Sequence, residues 1–234
     1  MIRKFLPDPI HLSWGFGTLG TVSMINSLTT LYLFFLVSVI GIAPAMAGTL
    51  IFISKIFDVV SDPVMGWISD RTNTRWGRRR PYLFGSSFLC GTAMVLLFNL
   101  PQFEGGFWQA AYIEFVLLFF AFALTTFNVP YLAMPADMTD SYTERSTIMS
   151  YRALFMVIGT FTGGAIAGLI AGKLGGDREA YGLVGWFLAA VAFVSMMICV
   201  VGTRNSRVLE AVNQESVALS AQVKFFLILS LIHI

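Results

Sequence analysis

The chain has 234 residues, 56% hydrophobic and only 12% charged, with a mean hydropathy of +0.76. A soluble domain carries roughly twice that share of charge, so the composition excludes an ordinary soluble protein and predicts a polytopic membrane protein. The net charge of +2 marks no nucleic-acid partner, and the sequence contains no phosphate loop, catalytic triad or metal-spaced His/Cys set, so no enzyme is expected.

The first residues, "MIRKFLPDPIHLSWGFG", lack a small-residue cleavage site after their first apolar run, so no signal peptide is expected. A hydrocarbon core about 30 Å thick takes about 20 apolar residues per helix. Six runs qualify, at 13–40, 44–70, 81–100, 107–134, 147–172 and 181–203. Backbone groups in lipid must be satisfied within their own segment, so the runs are helices. The alternating short segments of a β-barrel are not seen.

The linkers are short. "GIAP" and "PQFEGG" are tight turns, "RTNTRWGRRR" and "PADMTDSYTERS" are polar, and "KLGGDREA" is Gly-rich. Arg3, Lys4, Arg71, Arg75, Arg78, Arg79, Arg80, Arg145, Arg204 and Arg207 fall on one side, against Lys173 and Arg178 on the other. The positive-inside rule then puts both ends of the six-helix unit in the cytoplasm. Residues 1–204 are read as the N-terminal six-helix bundle and 205–222 as a polar cytoplasmic loop. From 223 a further apolar run, "VKFFLILSLIHI", stops too soon to span and reads as the start of a truncated seventh helix. Its last residues, Leu229–Ile234 ("LSLIHI"), resemble the translated end of a transposon-type sequencing adapter and are expected to be non-native. Cys90 and Cys199 lie inside apolar runs as structural thiols, and His11 and His233 stand isolated.

The second run contains two aspartates, Asp58 and Asp62. A carboxylate at mid-helix costs roughly 2.5–3.5 kcal/mol on insertion scales, which makes it a functional candidate by default. A spacing of four puts both on one helix face, with Ser54, Ser61 and Met65 nearby. Such oxygens suit a hard monovalent cation. Like charges this close also raise one another's pKa, so a proton competes. Lys55 shares that side and leaves two readings: a static Lys–Asp cluster joining helices, or a trio of net charge −1 that exchanges one cation. The following "GWISDRTNTRWGRRRP" also has two readings. It is a topogenic basic loop, and Gly66, Asp70, Arg71, Gly77, Arg78 and Arg79 form a signature in which Gly66 allows close helix approach and Asp70 pairs with loop arginines as a conformational latch.

That loop resembles the one between the second and third helices of the major facilitator superfamily. The larger "DVVSDPVMGWISDRT…RWGRRRPYL" resembles the glycoside–pentoside–hexuronide:cation symporters, the melibiose permease group. "GFGTLG", "NVPYLAMPADMTDSYTERS" and "SYRALF" fit the same family in the same order, so the match reaches to about Arg207. The resemblance implies an all-α fold: the N-terminal half, built of 3+3 inverted repeats, of a twelve-helix transporter with its substrate between two halves. It implies a missing C-terminal six-helix half as partner. It also implies Na⁺ or H⁺ as coupling ion with no other cofactor, a sugar or glycoside as cargo, and a bacterial inner membrane. The cation positions are Asp58 and Asp62, with Ser61 and Thr125 as further ligands. Arg152 matches a helix-5 arginine near the sugar, although it could equally neutralise a helix-2 carboxylate.

The chain departs from the melibiose pattern. Val22 and Asn128 stand where sugar-binding aspartates are expected, and Leu132 replaces a tryptophan. Valine cannot accept bonds from vicinal hydroxyls, and asparagine does so less strongly than a carboxylate. A melibiose-type pocket is therefore not expected, which leaves a different glycoside, a glucuronide, an amphipathic lysolipid, or an inactive half-transporter fragment. Trp14, Tyr32 and Tyr151 are candidate sugar-stacking rings, and Asp140, Glu144 and Arg145 are candidate latch partners or loop caps. Gly159, Gly163, Gly164, Gly168 and Gly172 predict close packing of the fifth helix. Glu114 lies within the fourth helix, either pairing with another helix or facing the cavity entrance.

Overall fold

The computed structural model describes residues 8–102 and 106–206. Among the described residues it holds six helices long and apolar enough to cross a membrane: α1 (Pro9–Val39), α2 (Pro44–Arg71), α3 (Arg80–Phe98), α4 (Gly106–Met138), α5 (Tyr142–Lys173) and α6 (Arg178–Gly202). Arg3, Lys4, the expected loop beyond 206 and the expected seventh helix with Leu229–Ile234 lie outside the described residues.

The six helices match the six apolar runs, with ends set by caps rather than by hydropathy. Asp8 accepts a bond from the Ile10 amide at 2.9 Å and Pro9 follows it, so α1 starts before its apolar run. Ser141 caps α5 through the Glu144 amide, so this helix begins in polar sequence. Three π-helical turns interrupt the spans, at Leu28–Tyr32 and Phe35–Val39 in α1 and Thr162–Ile166 in α5.

Packing runs α2 on α4, α4 on α3, α3 on α6, α6 on α1 and α1 on α5. This order maps onto itself when the first three helices are exchanged with the last three. Three spans per repeat is an odd number, so the second repeat enters the membrane from the opposite side. The same exchange relates two capping arginines. Arg80, at the start of α3, donates to the Thr203 carbonyl at the end of α6 (2.8 Å) and to Ser206, while Arg178, at the start of α6, donates to the Leu100 carbonyl just past α3. Each answers orphan carbonyls at a helix C-terminus.

Helices α1 and α4 are cross-braced by side chains. Trp14 of α1 stacks on Tyr131 of α4 with ring centroids 4.7 Å apart. The Tyr131 hydroxyl donates to the Trp14 carbonyl (2.9 Å) and lies 2.6 Å from Thr18 Oγ1, and Trp14 Nε1 donates to the Tyr131 carbonyl. On the other side of α1, the Ser23 backbone sits directly against Gly163 of α5, with no room for a side chain.

Candidate functional site

The expected cation positions meet where α2 packs on α4. Thr125 of α4 donates to Asp62 Oδ1 at 2.7 Å, and Ser61 Oγ lies 3.4 Å from the same threonine oxygen. Asp62 is otherwise exposed on the face of α2 that no described helix covers. Asp58 differs from it. Its Oδ2 takes an ion pair from Lys55 at 2.9 Å, and its Oδ1 is shielded from solvent without a hydrogen-bond partner. The Lys–Asp pair lies within α2 and joins no second helix, whereas Asp62 bonds across to α4. Ser54 is buried and bonds the Ile51 carbonyl of its own helix, so it stays out of this group.

Arg152 of α5 is half-buried with Nε unpartnered, and among the described residues no carboxylate lies within ion-pair distance of it. This corrects the expectation that it neutralises a helix-2 aspartate. Tyr151 beside it is half-buried against Gly15, and Asn128 on α4 is half-buried. Leu132 is 39% exposed, and Val22 is half-buried near Gly159.

Two candidate stacking rings are corrected. Trp14 and Tyr32 have no exposure at all. Trp14 is spent on the Tyr131 brace. Tyr32 packs in an aromatic cluster with Phe35 and Phe98, at centroid distances of 6.1 and 5.7 Å. Neither ring offers a face to a sugar here.

The signature after α2 folds into a charge cluster at the end of α2 and α4. Arg79 reaches Asp70 Oδ1 (3.1 Å) and Asp137 Oδ2 (3.1 Å), and Arg78 reaches Asp137 Oδ1 (2.8 Å). Burial pushes the Arg79 guanidinium down from its ordinary value, and Asp137 and Asp70 push it back up. Gly77, with φ of +93°, takes the left-handed turn, held by a Thr74 Oγ1 bond to its carbonyl at 2.6 Å. Arg71 is a correction: its guanidinium stacks over Trp67 at 4.0 Å instead of pairing with a carboxylate. Gly66 is another. A Cβ there would meet only Val129 Cγ1 at 3.7 Å, an ordinary contact, so close approach does not need this glycine in the present conformation.

Asp137 is the residue that sequence reasoning missed. It occupies the last turn of α4, where the helix dipole disfavours a carboxylate unless a cation stands by, and that was its available signal. Glu144 and Arg145 are used locally. Thr139 donates to Glu144, and Arg145 donates to the Thr139 carbonyl (3.0 Å), so both cap the α4–α5 turn.

Asp137→Asn is expected to destabilise the chain by about 2 kcal/mol, between the values for exposed and buried ion pairs, because Arg79, with a side chain only 9% exposed, loses its better-shielded partner. Asp70→Asn should cost less, since Asp70 is 57% exposed. Thermal unfolding in detergent compares them, and an equal or reversed order would contradict this geometry.

A family model described as MFS/sugar transport protein matches residues 13–228. An uncharacterized symporter of Synechocystis is 33% identical over 213 residues, covering 84% of this chain and 38% of its own. The isoprimeverose transporter of Lactiplantibacillus pentosus is 28% identical over 229 residues, 95% of this chain and 47% of its own. The sodium-dependent lysophosphatidylcholine symporter 1 of Mus musculus is 32% identical over 143 residues, 59% of this chain and 27% of its own. The chain thus spans less than half the length of these relatives, which are transporters rather than enzymes. With six apolar helices in a self-symmetric order and a match over nearly its whole length, the chain is a multi-pass membrane protein that belongs to the MFS/sugar transport protein family.

Proposed function

We propose that this chain forms the cation-coupling half of a secondary transporter that carries a sugar or glycoside together with Na⁺ or H⁺ by alternating access. The observation that carries the reading is the oxygen set made by Asp62, Thr125 and Ser61 across α2 and α4, with the unpartnered Asp58 oxygen one helical turn away. A Na⁺ ion would take carboxylate and hydroxyl oxygens together. A proton would settle on one carboxylate instead. Lys55 neutralises one of the two aspartates, so a single monovalent cation brings the group to zero net charge. A neutral group costs less to enclose in a low-dielectric wall than a charged one.

The charge cluster of Asp70, Arg79 and Asp137 bridges the same two helices at their C-terminal ends. A shift of α2 against α4 would therefore strain the ion site and the latch together, which couples cation occupancy to the closed state of that face. Arg152, Asn128 and Tyr151 are the proposed substrate contacts from this half. A second six-helix half would supply the opposing wall. The positive-inside rule favours a cytoplasmic latch end and a cytoplasmic N-terminus, and a bacterial inner membrane suits this reading.

A second reading has a specific observation behind it. Val22 and exposed Leu132 make the proposed cavity wall less polar than a melibiose pocket would be, and a lysophosphatidylcholine symporter is among the relatives. The test starts with the coding DNA past the codon for Ile228. The complete carrier is then reconstituted with a sugar panel under imposed Na⁺ or H⁺ gradients. Sugar accumulation that follows either gradient is expected. Accumulation indifferent to both would sink the coupling reading, and competition by lysolipid but by no sugar would replace the cargo.

A further inference from the structure

The Asp62 site leaves one intramembrane carboxyl unexplained. Glu114 lies on α4 about 12 Å in from Gly106 at 1.5 Å per residue, opposite the latch end. Both of its carboxyl oxygens are shielded from solvent, and neither accepts a hydrogen bond from any described residue. Among the described residues no cation lies within ion-pair distance of it. A second unsatisfied group lies on another helix. The hydroxyl of Tyr32 on α1, whose side chain has no exposure, also has no hydrogen-bond partner and is electrostatically coupled to Glu114. Tyr32 closes the π-helical turn Leu28–Tyr32, so the backbone departs from regular helix at this residue.

We propose that Glu114 and Tyr32 form a second proton-binding site in the membrane, separate from the aspartates of α2. An ionised carboxylate without a counter-charge costs several kcal/mol in such surroundings. A neutral acid costs far less and has a proton to share with the Tyr32 hydroxyl. Among the described residues the cations on the surrounding elements are engaged elsewhere. Tyr112 of α4 also acts electrostatically on Tyr32, and Tyr181 of α6 packs with a tilted ring against Phe35. Arg178 of α6 is held by the Leu100 carbonyl, Asn99 after α3 donates to Val95 and Gly182, and Lys55 of α2 is held by Asp58.

The site has a direction. Glu114 and Thr125 are eleven residues apart on α4, three turns and about 16 Å, at nearly the same azimuth. Leu132, eighteen residues on, returns to that azimuth. The carboxyl thus stands on the stripe leading from the outer end of α4 to the oxygen set at Asp62, and it is placed to take up a proton before that set does. This last step rests on the coupling role proposed for Asp62. The proton site itself does not.

Infrared difference spectra of the chain in lipid nanodiscs, recorded across a pH titration, test the proposal. A protonated-carboxyl band is expected at neutral pH. It should disappear in Glu114→Gln, persist in Asp58→Asn and Asp62→Asn, and shift in both frequency and midpoint in Tyr32→Phe. Persistence of the band in Glu114→Gln, or its disappearance in the α2 variants alone, overturns the proton site. An unmoved band in Tyr32→Phe overturns the pairing. If Asp62→Asn leaves cation-driven uptake intact while the Glu114 band behaves as expected, only the destination of the proton is wrong.

Discussion

Asp62→Asn is expected to remove the cation dependence of uptake while the chain still folds. Asparagine keeps the shape and still offers Thr125 an oxygen for the bond now made at 2.7 Å. What it removes is the charge. Charge-assisted bonds are about twice as strong as neutral ones, and losing about 3 kcal/mol of ion binding corresponds to roughly 100-fold in affinity. Asp62 is also exposed on its open face, so the neutral side chain leaves no buried charge behind, and little stability should be lost. Asp58→Asn is a different experiment, because it strands Lys55, now 2.9 Å from the carboxylate. The check is twofold: uptake driven by imposed Na⁺ and H⁺ gradients, and stabilisation of the purified chain against heat by added Na⁺. Wild-type dependence in Asp62→Asn would move the coupling site elsewhere.

Gly163→Ala is expected to be the most damaging single methyl in the molecule. A Cβ at that position would lie 2.1 Å from the Ser23 carbonyl oxygen and 2.8 Å from its Cα and carbonyl carbon. These are backbone atoms of α1 and cannot rotate aside, so the helices must separate. Overpacking of this kind costs typically 1–3 kcal/mol and occasionally more, and about 3 kcal/mol is expected here, with Gly163→Val worse. Gly172→Ala on the same helix meets nothing within 4 Å. It should be neutral or gain up to about 1 kcal/mol from helix propensity. Thermal unfolding of the two variants side by side separates contact from propensity, and equal effects would mean that α1 and α5 are not apposed at Gly163.

Small residues carried part of this information. The glycines of α5 announce close packing, but only the α1–α5 contact distinguishes Gly163, pressed on backbone, from Gly164, which faces Asn26 and Thr30 side chains at 3.6 and 3.7 Å. The charge cluster shows the same division. Asp70 and Arg79 are nine residues apart and could be paired from the sequence, whereas Arg78, in the loop between α2 and α3, and Asp137 of α4 are 59 apart.

By itself the sequence determined the spans, their alternation and the unusual character of Asp58 and Asp62. The bilayer acts as a solvent with one dimension of order, so length, hydropathy and misplaced charge translate directly into depth. It could not say which way a side chain points around its helix. α1 and α4 are apolar on all sides, with no amphipathic stripe to mark an inner face, so Trp14 and Tyr32 read as available rings until the structure buried them. The bonds of Asp62 to α4 and of Arg79 to Asp137 were decided only by which helices pack together, because those contacts join residues far apart in the chain at the same depth.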